Sequence, residues 1–146
     1  MMLSGQCLCG AVRYTSAGSP QFVFLCHCRD CQHAGGSLAH FGVMVPEAGF
    51  SRIGEVRSYA KTSDSGRQTT REFCPTCGSG IDHRLEVAPG MVVIKGGTLD
   101  NPAAVAPTFE LCARTKLLSL ASGAPLRCFE EGLTGDPREV VCKSPA

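Results

Sequence analysis

Apolar residues along the chain recur chiefly at alternate positions, in short runs broken by Gly, Pro, Ser and Asp. The three-and-four spacing of an amphipathic helix is sustained almost nowhere, so the pattern predicts strands. They are expected at 11–15, 22–25, 39–45, 56–60, 68–73, 80–85, 91–95 and 108–112, where β-branched and aromatic residues gather between turn formers. Segment 61–67, rich in Ser, Asp and Gly, has the chemistry of an exposed hairpin loop between two of these strands. One short helix is expected over 29–34, stopped by Gly35 and Gly36. The spacing is that of an all-β, antiparallel domain.

A chain of 146 residues, 43% of them hydrophobic, suffices for one cored domain and is short for two. From about position 134 the sequence turns polar and is bounded by prolines, so a single domain is expected over 1–133 with a loosely ordered tail over 134–146. Lys and Arg number 14 against 13 acidic residues, which leaves no long-range field to gather nucleic acid or anionic lipid. No apolar run approaches the roughly 18 to 20 residues of a membrane span, and the first residues lack the charged and apolar regions of a signal peptide. The expectation is a cytoplasmic protein with neither membrane nor nucleic acid as partner. Oligomeric state leaves no mark in the sequence.

Ten cysteines change the picture. Seven are clustered: Cys7 with Cys9, then Cys26, Cys28 and Cys31, then Cys74 with Cys77. Disulfide frameworks spread their cysteines, because residues two or three positions apart are poorly placed to bridge each other. Without an export signal the clusters read as metal ligands. Zinc takes four ligands at tetrahedral corners with Zn–S about 2.3 Å, which sets sulfurs roughly 3.7 to 3.8 Å apart.

Residues two apart on a strand face the same way, so Cys7 and Cys9 can both serve one ion. Cys74, Pro75, Thr76, Cys77 and Gly78 read as a zinc knuckle, in which Pro75 fixes the turn and Gly78 lets backbone amides approach the sulfurs. Joining the two pairs makes a closed site that ties the amino terminus to the middle of the domain. Cys26, Cys28 and Cys31 then converge from a strand end and the first helical turn, and leave a fourth corner open, the pattern of catalytic or ligand-binding zinc. Two alternatives stay open. Cys7 and Cys9 could instead share an ion with Cys26 and Cys28, or His33, His40 or Cys112 could close the second site. Otherwise Cys112 and Cys128 read as small buried apolar residues, and Cys142, in the tail, as a thiol without structural duty.

Segment 5–14 reads GQCLCGAVRY, 26–31 reads CHCRDC, 71–79 reads REFCPTCGS and 97–100 reads GTLD. On these motifs the chain resembles, over about 3–131, the glutathione-dependent formaldehyde-activating enzyme family, whose relatives include centromere protein V. The resemblance implies coiled antiparallel β-sheets with a zinc-ribbon-like knuckle. It implies a structural zinc on Cys7, Cys9, Cys74 and Cys77, and a second zinc on Cys26, Cys28 and Cys31 beside the place where glutathione binds. It also implies a carbon–sulfur lyase acting on glutathione adducts of the S-hydroxymethylglutathione type. One departure bears on the substrate pocket. Members often carry Trp after a basic residue in the last third, whereas this chain has no Trp and reads RTKLLS at 114–119.

A zinc that already holds three thiolates is a weak Lewis acid but welcomes a soft fourth ligand, and the sulfur of glutathione or its adduct is the natural entrant. His27, Asp30 and His33 are the candidates for proton handling, and Arg29, Lys95 and Lys116 for meeting the carboxylates of glutathione. The rival function is a non-enzymatic zinc module that binds glutathione, another thiol or a protein surface.

Overall fold

The computed structural model describes residues 1–117 and the short strand at 127–128. The expected tail over 134–146, Cys142 and the side chain of Cys128 lie outside the described residues. A small antiparallel sheet contains β1 (Met2–Gln6), β2 (Arg13–Ala17) and β5 (Phe50–Ile53), in the order β1-β2-β5. A large sheet contains β3 (Phe22–Cys26), β4 (His40–Pro46), β6 (Arg57–Thr62), β7 (Gln68–Phe73), β8 (Gly80–Leu85), β9 (Met91–Lys95), β10 (Phe109–Leu111) and β11 (Arg127–Cys128). Its order is β11-β10-β3-β4-β9-β8-β7-β6. The single α-helix among the described residues, α1 (Arg29–Gly35), follows β3 and ends at Gly36, where the expected stop signal stood.

Both faces of the large sheet are covered with apolar side chains, and the alternation of its central strands divides them. Val43 and Val45 of β4, with Val92 and Ile94 of β9, pack on one side with Leu3 and Tyr14 of the small sheet. Met44 and Val93, between them in sequence, face the other side with Phe22, Phe24, Phe109 and Leu111. Side chains that alternate across a pleated strand thus feed two separate cores. An ion-pair network closes the seam between the sheets: Arg52 of β5 reaches Glu72 of β7 and, at 2.7 Å, Asp82 of β8.

Three features depart from the sequence pattern. Strands β1 and β5 were not expected, since β1 turns inward only Leu3 and Gly5 and β5 has no fully buried side chain. Next, β10 runs parallel to β3, with Phe109 opposite Phe24 and Leu111 opposite Cys26. Side-chain alternation is the same in parallel and antiparallel strands, so pattern alone gives no direction. Finally, the strand expected over 108–112 stops before Cys112, whose backbone turns left-handed.

Candidate metal centres and cavity

The first cysteine group is assembled from two short turns. Strand β1 ends at Gln6, so Cys7 and Cys9 sit in a turn rather than on a strand, with Gly10 N donating to Cys7 O at 3.0 Å. The second turn carries Cys74 and Cys77, with Gly78 N donating to Cys74 O at 2.9 Å. In each turn the glycine after the second cysteine has the positive φ that a residue with a Cβ resists, 74° at Gly10 and 75° at Gly78. The four sulfurs lie within 4.8 Å of one another; Cys7 to Cys9 is 3.5 Å and Cys9 to Cys74 is 3.8 Å. Those separations suit a tetrahedral tetrathiolate ion such as zinc.

Hydrogen bonds orient the sulfurs. Val12 N donates to Cys7 Sγ at 3.2 Å. Ser79 Oγ stands 3.3 Å from Cys77 Sγ and accepts a bond from Leu8 N at 3.1 Å, so one hydroxyl links the two turns. The Ser79 hydroxyl and backbone amide bring the Cys77 thiol down to about 5.

The second group lies on the opposite face of the large sheet. Cys26 closes β3, Cys28 is the N-cap of α1 and accepts from Cys31 N at 3.3 Å, and Cys31 lies in the first helical turn. The sulfurs that all lie within 4.8 Å of one another are those of Cys26, Cys28 and Cys112. The Cys31 side chain interacts with both Cys26 and Cys28. Cys28 stands at the centre: hydrogen bonds from Cys112, Cys26 and Cys31 lower its pKa far below the usual thiol range. Each of the two groups could hold a metal ion. The grouping of Cys7 and Cys9 with Cys26 and Cys28 does not form.

Cys26, Cys28, Cys31 and Cys112 share the wall of a cavity of about 550 Å³. Its floor is apolar, built from Phe22, Phe24, Met44, Phe109 and Leu111. Its rim carries Arg29, Arg67, Arg71 and Arg114, with Asp30 and Asp64 among them. The expected hairpin loop forms part of this rim through Ser63, Asp64, Ser65 and Arg67, and Lys61 pairs with Asp30 of α1.

The candidates for proton transfer and cation binding are redistributed. His27 is fully buried, 3.5 Å from Glu110, and does not line the cavity; its neighbours Cys26 and Cys28 face the cavity while it turns inward. His33 is exposed and bonds Arg29 at 3.2 Å. Lys116 holds both oxygens of buried Glu110 at 2.9 and 2.8 Å, and Lys95 donates to the Ala34 carbonyl at 3.0 Å; neither lines the cavity. Only Asp30 and Arg29 of these candidates reach it.

Two imidazoles line the cavity instead. His40 stands opposite Cys26 in the β3–β4 register, and His83 lies beside it. Burial pushes His40 down to about 3 and His83 well below the usual imidazole range, so both are neutral at neutral pH. His40 Nε2 is buried with no hydrogen-bond partner among the described residues. His83 carried no sequence signal, and Arg71, though it opens the REFCPTCGS motif, none as a cavity residue; both lie on ordinary-looking strands and reach the cavity only through the strand order.

Two sheets bearing two cysteine groups, one closed between turns and one opening on a cavity, define a small β protein in which each group could hold a metal ion. A family model described as glutathione-dependent formaldehyde-activating enzyme matches residues 2–115. The chain belongs to that family. No curated protein matches it. Among solved structures, the crystal structure of a Rhodobacter sphaeroides protein is similar in fold, with TM-score 0.55 and 19% identity over 71% of this chain and 91% of that one. No helix among the described residues is long and apolar enough to cross a membrane.

Proposed function

We propose that this protein is a cytoplasmic, zinc-dependent carbon–sulfur lyase acting on glutathione adducts of the S-hydroxymethylglutathione type. Cys7, Cys9, Cys74 and Cys77 would hold a structural zinc, and Cys26, Cys28 and Cys31 would hold the second. The observation that carries the reading is the placement of the second cysteine group in the wall of a cavity whose rim bears four arginines. Glutathione brings two carboxylates, an ammonium and a sulfur. Arg67, Arg71 and Arg114 suit the carboxylates and Asp64 suits the ammonium, while the cysteine group suits the sulfur.

Zinc, when bound, stabilises a thiol as thiolate at neutral pH. The remaining work falls to the chain. The apolar floor excludes water beneath the reacting sulfur. His40 is neutral and lines the cavity, so it places no positive charge beside the reacting sulfur. In breakdown the hydroxyl proton passes to water at the mouth of the cavity as the C–S bond breaks; the carbonyl compound departs and the sulfur leaves with the bonding pair. The reverse sequence forms the adduct.

Free formaldehyde combines with thiols unaided, so the test compares rates. Zinc-loaded protein is titrated with glutathione by calorimetry, and formation and breakdown of S-hydroxymethylglutathione are followed against the spontaneous reaction. Acceleration that is lost in Cys28→Ser, with the fold and one zinc retained, supports the lyase. Binding without acceleration would identify a thiol-binding module instead, and full activity in Cys28→Ser would refute the role of the second centre.

A further inference from the structure

Cys112 has two unusual properties. It is the single non-glycine residue with positive φ among the described residues, at φ 55° and ψ 45°, a backbone strained for a residue with a Cβ. Its sulfur also lies within 4.8 Å of both Cys26 and Cys28. The first property produces the second. Because Leu111 stands opposite Cys26 in the parallel register, an extended continuation would send Cys112 to the other side, where Glu110 meets His27. The left-handed turn brings it back to the cavity.

That turn is fastened to the segment carrying the other three sulfurs. Thr115 N donates to Cys112 O at 3.1 Å, and the Thr115 hydroxyl lies 2.9 Å from the carbonyl of His27. Gln32 Nε2 donates to the Thr115 carbonyl at 3.1 Å. His27 lies between Cys26 and Cys28, and Gln32 follows Cys31. Strain and hydrogen bonding together hold a fourth sulfur where the ligand reading of Cys26, Cys28 and Cys31 leaves a corner.

We propose that Cys112 is the fourth protein ligand of the second centre, a displaceable thiolate that keeps the corner until a thiol from the cavity takes it. The proposal rests on the reading of Cys26, Cys28 and Cys31 as metal ligands. Cys112 is the member that yields. Cys31 is fixed by its helix and by the bond from its N–H to Cys28 Sγ, whereas release of Cys112 relaxes a strained backbone. The exchange balances: one metal–sulfur bond forms as another breaks, and Cys112 takes up the proton that the entering thiol gives up. A resting centre of four thiolates is thereby shielded from adventitious ligands, and admits only a thiol that the cavity also recognises.

The test uses the full chain loaded with cadmium-113, as wild type, Cys112→Ser and Cys112→Gly; glycine suits the left-handed backbone and guards against misfolding of the serine variant. The wild type should show two resonances, both in the tetrathiolate range. Each substitution should move one of them out of that range and leave the other in place. Reduced glutathione, titrated by calorimetry, should bind the variants about tenfold tighter or more, because the corner no longer has a resident competitor. Unchanged resonances in both variants would overturn the assignment, as would a wild-type resonance already outside the tetrathiolate range. A moved resonance with unchanged glutathione affinity would overturn displacement. If the resonance moves and no form of the protein binds glutathione, Cys112 stands as a ligand and the glutathione reading fails.

Discussion

His40 and His83 stand with ring centroids 5.0 Å apart and planes tilted by 57°, both buried and both facing the cavity. Two protonated rings could not share that space. An unfolded imidazole titrates near about 6.5, while burial holds His40 at about 3 and His83 well below its usual range. Between those limits the unfolded chain binds protons that the folded chain refuses. Their stabilising contribution is therefore complete above the unfolded pKa and is lost as pH falls through it. His40 alone should cost about 2 kcal/mol by pH 5, and His83 adds to the loss in the same direction. Denaturant unfolding at neutral pH and at pH 5 should show a smaller acid loss in the His40→Phe, His83→Leu double variant, by at least about 2 kcal/mol, the share of His40. Equal losses would contradict the assignment of neutral rings.

Ser79 links the turns of the first centre, touching Cys77 Sγ and accepting from Leu8 N. Replacing it with alanine removes an orienting partner of one sulfur and the link between the turns. Zinc affinity at that centre should fall about 10- to 100-fold. Competition with a chromophoric chelator would measure it, and an unaltered affinity would mean that the backbone bonds suffice.

Arg71 lines the cavity within electrostatic reach of Cys31. If it meets a carboxylate of glutathione, Arg71→Ala should weaken binding about 10- to 100-fold, the worth of one charge-assisted hydrogen bond. A glutathione methyl ester should lose affinity for the wild type and little more for the variant. Unchanged binding in Arg71→Ala would move carboxylate recognition to the other arginines.

Lys116 carries a different burden from the one its position after Arg114 suggests. Its ammonium neutralises Glu110, which is 2% exposed. Lys116→Gln should destabilise the fold by about 3 kcal/mol, since it removes the ammonium that holds both oxygens of a buried carboxylate. Glutathione affinity of the folded, zinc-loaded variant should stay at the wild-type value. Weakened binding with intact stability would return Lys116 to the ligand.

The cysteine pairs were legible because their chemistry is local. Sulfurs two or three residues apart need only a turn, and Gly10 and Gly78 mark those turns in the sequence. The short helix was legible for the same reason, through Gly35 and Gly36. What sequence could not show depends on which strands become neighbours. His83 joins His40 because β9 alone stands between β4 and β8. The pattern carried a strand through Cys112, because nothing in its residue type announces a left-handed backbone. Likewise, His27 reads as a site residue from its place between Cys26 and Cys28, yet strand alternation turns it away toward Glu110.

Adjacent letters in β4 and β9 answer to different masters. Val43, Val45, Val92 and Ile94 secure the core shared with the small sheet, while Met44 lines the cavity and Val93 packs behind its floor. Changes at the second set can reshape what the cavity accepts without disturbing the first. Such a chain can change what its cavity admits while keeping one skeleton, through positions such as His40 and Met44 of β4.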